Sequence, residues 1–206
     1  MHKSQPPSSG GAASQYSGAE FIEALAKSHL VYHPGTTWDY GLSIDVLGLI
    51  LEKEHNQKLS SVLSERLWKP LGMVDTGFLV PPEKAKRFAR ALVNDPDTGK
   101  PQASSDRTKA DKFECGGGCA ASTAADYVRF GQMLLNRGKL GDKRILASRT
   151  VDYMTANHLT RDMANYIADA DPTKAGYEFG LTMAVRTSAG GPTTMGSPGV
   201  YTWSGA

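Results

Sequence analysis

The sequence predicts an α+β chain, mostly helical and closed by a terminal β-hairpin. Three observations carry that expectation. Apolar residues recur at helical spacing through most of residues 17–160, a two-residue alternation replaces them over residues 177–185, and Gly/Pro clusters punctuate the segments. At 206 residues the chain is long enough to bury a core, and 40% apolar against 21% charged residues is an ordinary balance for a soluble globular protein. With 23 Lys+Arg against 21 Asp+Glu the formal charge is +2, and no basic cluster marks a face for nucleic acid. No apolar run reaches the ~18–20 residues of a membrane-spanning helix. Two cysteines exclude a disulfide-built scaffold.

Along the chain, residues 1–16 are Pro/Ser/Gly-rich and read as a disordered segment. Ser17 with Glu20 has capping-box spacing and opens a short helix whose stripe is Phe21, Ile22 and Leu25. Pro34-Gly35 breaks the chain, and residues 36–42 read as a loop. Over residues 43–54, Ile44, Val46, Leu47, Leu49, Ile50 and Leu51 leave little polar face, which predicts a helix buried nearly all round. A further helix over residues 60–68 should stop at Pro70-Leu71-Gly72. Residues 90–93 are a candidate strand ahead of the turn cluster 94–99. Thr123 with Asp126 caps a helix carrying Tyr127, Phe130, Met133 and Leu134, ended by Asn136-Arg137-Gly138, and Ser148 opens another with Val151 and Met154. Tyr177, Phe179, Leu181, Met183 and Val185 alternate with polar or small residues as one half-buried strand, and residues 200–206 can pair back on it.

Several motifs fail on inspection. Gly116-x-Gly118-x-x-Ala121 precedes a helix but follows no apolar strand, so a tight glycine turn is the better reading than a dinucleotide loop. Cys115 and Cys119 lack a zinc-site spacing and read as buried or incidental thiols. His29, His33, His55 and His158 show no paired metal spacing. No cofactor is expected.

Residues 33–48, running His-Pro-Gly-Thr-Thr-Trp-Asp-Tyr-Gly-Leu-Ser-Ile-Asp-Val-Leu-Gly, resemble the tyrosine segment of the serine β-lactamase-like hydrolases. Pro70-Leu71-Gly72-Met73 resembles the same family's Pro-Leu-Gly-Met signature. Gly116-Gly117-Gly118 with Ser122-Thr123-Ala124-Ala125-Asp126-Tyr127 is similar to its Gly-Gly…Ser-Thr-Ala…Asp-Tyr stretch. Trp203-Ser204-Gly205 stands where those enzymes carry a third motif, Trp-x-Gly in the family VIII carboxylesterases. The resemblance implies a β-lactamase/transpeptidase-like fold and acyl transfer. A serine in Ser-x-x-Lys forms an acyl-enzyme, with a tyrosine and that lysine as general base. By position it assigns Tyr40 as the base, Trp203 to Gly205 as the strand wall with Leu42 nearby, and the Ala206 N–H as an oxyanion donor. Leu42 replaces the Asn of class C β-lactamases and Trp203 their lysine, which favours uncharged esters over β-lactams or amides.

One element of that chemistry is missing: no lysine in the sequence has a serine three residues before it. An unassisted phenol, with a pKa of about 10, is ionised in only about one molecule in a thousand near neutral pH. The expectation is a family-level serine hydrolase whose nucleophile lies outside this chain, so that the chain alone is inactive. The alternative is a catalytically dead ligand- or partner-binding module. Residues 17–206 would then form a partial domain, helical over 17–160 and a hairpin over 177–206, with a sheet edge left open to self-association. The expected partner is a small ester or lactam, with neither nucleic acid nor membrane. The start carries no hydrophobic leader, which makes the cytoplasm the default compartment.

Overall fold

The computed structural model describes residues 9–101, 106–189 and 195–203. Its chain groups into two compact units. Unit 1 holds Met1–Ala26 with Ser43–Arg129, and unit 2 holds Lys27–Leu42 with Phe130–Ala206.

Unit 1 begins with α1 (Ser9–Gln15) and α2 (Gly18–Ala26). Residues 9–15 are therefore helical where loose chain was expected. Ala12 and Ala13 are fully buried, and the Ala13 carbonyl accepts the Lys112 N–H at 2.9 Å, so long-range packing outweighs the local glycines. The capping box before α2 forms as read. The Ser17 N–H and Oγ both reach Glu20 Oε2, at 2.7 and 2.8 Å, and these bonds hold the Glu20 carboxyl below its ordinary pKa. Phe21 is buried and stacks on Phe113, with ring centroids 5.2 Å apart.

The next helix, α3 (Ser43–His55), departs from the all-round burial its composition predicts. Its buried positions are Asp45 and Gly48, while Leu47 and Ile50 remain 43% and 50% exposed. The inward seam is polar or small at helical spacing. Asp45 Oδ1 accepts the Gly117 N–H at 2.8 Å, Gly48 lies against the Gly116 backbone, and Glu52 accepts the Leu59 N–H at 2.9 Å. Only glycine permits that crossing: a Cβ on Gly116 would lie 2.5 Å from the Ile44 carbonyl oxygen.

α4 (Leu59–Leu63) continues through a π-helical turn, Ser64–Trp68, into α5 (Lys69–Leu71). The helical run takes in Pro70 and ends at Leu71, within the expected Pro70-Leu71-Gly72 stop. The π turn shifts the Lys69 N–H to the Ser64 carbonyl, changing the backbone register just ahead of the proline. Gly72 then closes the run at φ +68°, its N–H bonding Lys69 O (3.0 Å) while the Met73 N–H bonds Trp68 O (2.8 Å), a Schellman arrangement. Residues 90–93 form no strand. The ordered feature that follows is a turn in which Asp95 Oδ1 accepts the Asp97 and Thr98 N–H groups and Gly99 sits at φ +67°.

α6 (Ala124–Leu135) starts as expected, the Asp126 N–H bonding Thr123 Oγ1 at 3.2 Å. The buried Asp126 carboxylate also accepts the Asp75 N–H (2.7 Å) and the Thr76 hydroxyl (2.8 Å). Cys115 and Cys119 are not free thiols: both are buried and joined in a disulfide with Cα atoms 5.3 Å apart, clasping the Gly116–Gly118 turn.

Unit 2 contains β1 (Thr37–Trp38), a short hairpin of β2 (Lys139–Leu140) and β3 (Lys143–Arg144), then α7 (Ser148–Met154), β4 (Ala164–Asn165) and α8 (Ile167–Ala170). β1 and β4 pair in parallel, Thr37 with Ala164 and Trp38 with Asn165. The last part is a three-stranded antiparallel sheet, β5 (Tyr177–Phe179), β6 (Ala184–Arg186) and β7 (Tyr201–Thr202), in the order β5-β6-β7. Residues 177–185 are therefore two strands, not one. The Gly180 N–H bonds Met183 O at 2.8 Å, and Thr182 takes a left-handed φ of +68° to reverse the chain. The expected return strand pairs with β6 over Tyr201–Thr202, which makes a meander rather than a hairpin. Among the described residues no helix is long and apolar enough to cross a membrane.

Replacing Gly116 with Ala should destabilise the chain by about 1–3 kcal/mol, because backbone rather than a flexible side chain stands in the way. The urea midpoint would report it. Asp75 offers a pH test. Hydrogen bonds from Arg87 and from Lys84, with ion-pair distances of 2.8 and 2.6 Å, lower its pKa to about 2. A depressed carboxylate stabilises the fold above its unfolded value and loses that contribution as pH falls through the folded one. Asp75→Asn should therefore flatten the fall in melting temperature between neutral pH and about pH 2.

Candidate active site

The candidate residues in unit 2 are placed by a turn and a strand pair. In His33-Pro34-Gly35-Thr36 the proline fixes one corner and Gly35 takes φ +81°, while His33 O accepts both the Thr36 N–H (3.2 Å) and its hydroxyl (2.8 Å). That turn delivers Thr37–Trp38 into pairing with β4, and the Ala164 and Tyr166 N–H groups bond the carbonyls of Thr36 and Trp38. Asp39 and Tyr40 emerge directly after the pair.

Tyr40 and Trp203, far apart in sequence, come together. Their rings stack with centroids 5.8 Å apart and an interplanar angle of 16°. Trp203 also meets Trp38 edge-on at 6.0 Å and Phe179 at 5.5 Å, and Trp38 lies 4.6 Å from Phe179. This aromatic group packs against buried Ile167, Tyr177 and Ala184. Tyr40 is braced by the Trp203 ring and keeps 58% of its surface exposed. Leu42 is half-buried. Ser204, Gly205 and Ala206 lie outside the described residues.

Two contributors escaped the sequence reading. Trp38 lies in a stretch whose sequence reads as loop, yet it pairs with Asn165 as part of β1. Asn165 has no local signature, yet its amide donates to Tyr177 O and Glu178 Oε2, both at 3.0 Å, and its carbonyl oxygen accepts the Ile167 N–H at 3.0 Å. The usable signal is Pro34-Gly35, ending three residues before Trp38, since a turn there is followed by an extended segment. Among the described residues, no group of three or more His, Cys, Asp or Glu side chains could hold a metal ion.

These elements and motifs define a protein of the β-lactamase/transpeptidase-like fold class. The chain belongs to the beta-lactamase family, whose sequence pattern matches residues 2–206. It is 32% identical to the Mycobacterium tuberculosis protein Rv1367c over 90% of this chain and 48% of that protein. It is 38% identical to the esterase EstB of Burkholderia gladioli over 34% of this chain and 17% of EstB. Its fold matches EstCE1, described as a hydrolase with promiscuous acyltransferase activity, with a TM-score of 0.67 at 24% identity, over 90% of this chain and 50% of that one. The chain spans about half the length of the curated relatives it matches along most of its own.

Trp203→Ala should destabilise the chain by about 2 kcal/mol, since it removes three ring contacts from a half-buried site. Tyr40→Phe, which removes only an exposed hydroxyl, should stay within about 0.5 kcal/mol of the parent. Denaturant melts of the two variants side by side would check the contrast.

Proposed function

We propose that this chain carries the base-bearing part of a serine hydrolase site that cleaves ester carbonyls through an acyl-enzyme, with Tyr40 as general base. The observation that supports this most directly is the Tyr40–Trp203 stack, which joins the tyrosine segment to the third motif in one unit. In the proposed reaction Tyr40 acts as its phenolate, favoured by the ammonium of the motif lysine, and the serine hydroxyl attacks the ester carbon while giving its proton to that oxygen. The same proton then passes to the departing alcohol, and water releases the acyl group by the reverse route. Ala206 N–H would donate to the oxyanion, and Trp203 with Leu42 would favour uncharged esters over β-lactams. The serine and its lysine partner belong to residues that this chain does not contain.

That reading makes two demands. Incubated with a fluorophosphonate, the chain alone should keep its mass, and stoichiometric labelling would overturn the assignment of the nucleophile. Joined to the remaining half of a full-length relative, it should hydrolyse a p-nitrophenyl ester, with Tyr40→Phe lowering kcat by about 100-fold or more. A hybrid that is equally active with phenylalanine at that position would remove Tyr40 from the mechanism. One that binds but never turns over would favour the catalytically dead binding module, which the missing Ser-x-x-Lys also suits.

A further inference from the structure

Unit 1 holds a cavity of about 1060 Å³ that the Tyr40 reading does not use, bordered by α2, α3 and the chain over residues 110–114. Its apolar wall is mainly aliphatic. Ala19 and Ile22 come from α2, Leu49 from α3, and Leu79 from the segment that follows α5. Ile22 and Leu79 are exposed, although both are large and apolar. The two phenylalanines of the lining are packed against other rings, Phe113 against Phe21 and Phe78 against Trp68 at 5.9 Å. Alkyl surface therefore dominates what the cavity offers a ligand.

Charge selects the other end of that ligand. Among the described residues three carboxylates border the cavity, and each is held by the chain's own donors. Glu52 accepts the Leu59 N–H, Asp111 pairs with Arg107, and Glu114 accepts the Ser60 N–H and hydroxyl at 2.6 and 2.8 Å. Lys112 is committed too, its ammonium donating to Gln15 O at 2.6 Å. Lys53 and Lys58 differ. They flank the turn that ends α3, where Asn56 takes a left-handed φ of +50° and the Gln57 N–H bonds Glu52 O, and both are exposed. Among the described residues neither ammonium has a hydrogen-bond or ion-pair partner. An aliphatic wall beside two unpaired cations complements an anionic amphiphile.

We propose that this cavity binds an alkyl carboxylate, its chain along Ile22, Leu49 and Leu79 and its carboxylate at Lys53 and Lys58. The inference does not draw on the assignment of Tyr40, and its test reads binding rather than turnover. Isothermal titration of the unmodified chain with dodecanoate, kept below micelle-forming concentration, should give saturable binding at one site. Butyrate keeps the head group but loses most of the chain, and dodecyltrimethylammonium keeps the chain but reverses the charge. Each should bind about 10-fold more weakly or worse. Lys53→Gln combined with Lys58→Gln should weaken dodecanoate about 5-fold, while Lys53→Arg combined with Lys58→Arg retains it. Leu79→Ser, a change at an exposed aliphatic position, should weaken it by a similar factor through lost contact with the chain. Lys139→Gln, at an exposed lysine of β2, is the control and should leave binding unchanged. Equal affinity for the anionic and cationic amphiphiles overturns the proposal, as does a dodecanoate affinity indifferent to the paired glutamine variant or to Leu79→Ser, or no saturable binding. If the glutamine variant unfolds by circular dichroism, loss of binding in the folded arginine variant overturns it instead.

Discussion

The aromatic wall of unit 2 depends on the side-chain amide of Asn165. That group donates twice to β5 and accepts once from the start of α8, while its own backbone pairs with Trp38 of β1. Three separate stretches of chain are referenced to one planar group, and the rings they carry converge as a result. Each bond contributes only about 1 kcal/mol net. Their geometric effect is larger than that sum, because a carboxylate there could accept but not donate, and an aliphatic side chain could do neither.

Most of the family resemblance turns out to be carried by residues that perform folding tasks. Pro70-Leu71-Gly72-Met73 is a helix ending, held by two backbone bonds and a left-handed glycine. Gly116–Gly118 is the wedge against which α3 crosses, and Thr123 with Asp126 is a cap whose carboxylate also fastens residues 75 and 76. Once those tasks are assigned, Tyr40 and Trp203 are the described motif residues for which a chemical role is proposed. Recognition at the family level and knowledge of the reacting groups are thus separable. The first rests on four segments of sequence, and the second on experiments at individual side chains.

What the sequence made legible was local. The Ser17 capping box, the Thr123 cap, the Pro-Gly break and the ends of α5 and α6 follow from residues within a few positions of one another. The β5–β6 reversal was hidden because apolar residues recur at every second position straight through the turn 180–183, although the register pairs Tyr177 with Arg186 and Phe179 with Ala184 and so puts Val185 on the opposite face. The burial of α3 was misread because its inward seam of Asp45, Gly48 and Glu52 finds its partners at Gly117, Gly116 and Leu59. Composition ranks such residues as solvent-facing until those partners are known. Asn165 and the ring of Trp38 were invisible for the same reason. Tyr40 is marked by the resemblance of the whole segment 33–48 to a family motif, not by any feature of its immediate neighbours.

The clasp between Cys115 and Cys119 has a consequence for the life history of the molecule. Both sulfurs are shut away from solvent in the finished fold, at 0% and 1% exposure. A soluble thiol can exchange with them only while that loop is open. Reduction or exchange of this bond is therefore gated by how often the 115–119 loop opens, during folding or in the finished protein, and not by contact with solvent thiols alone.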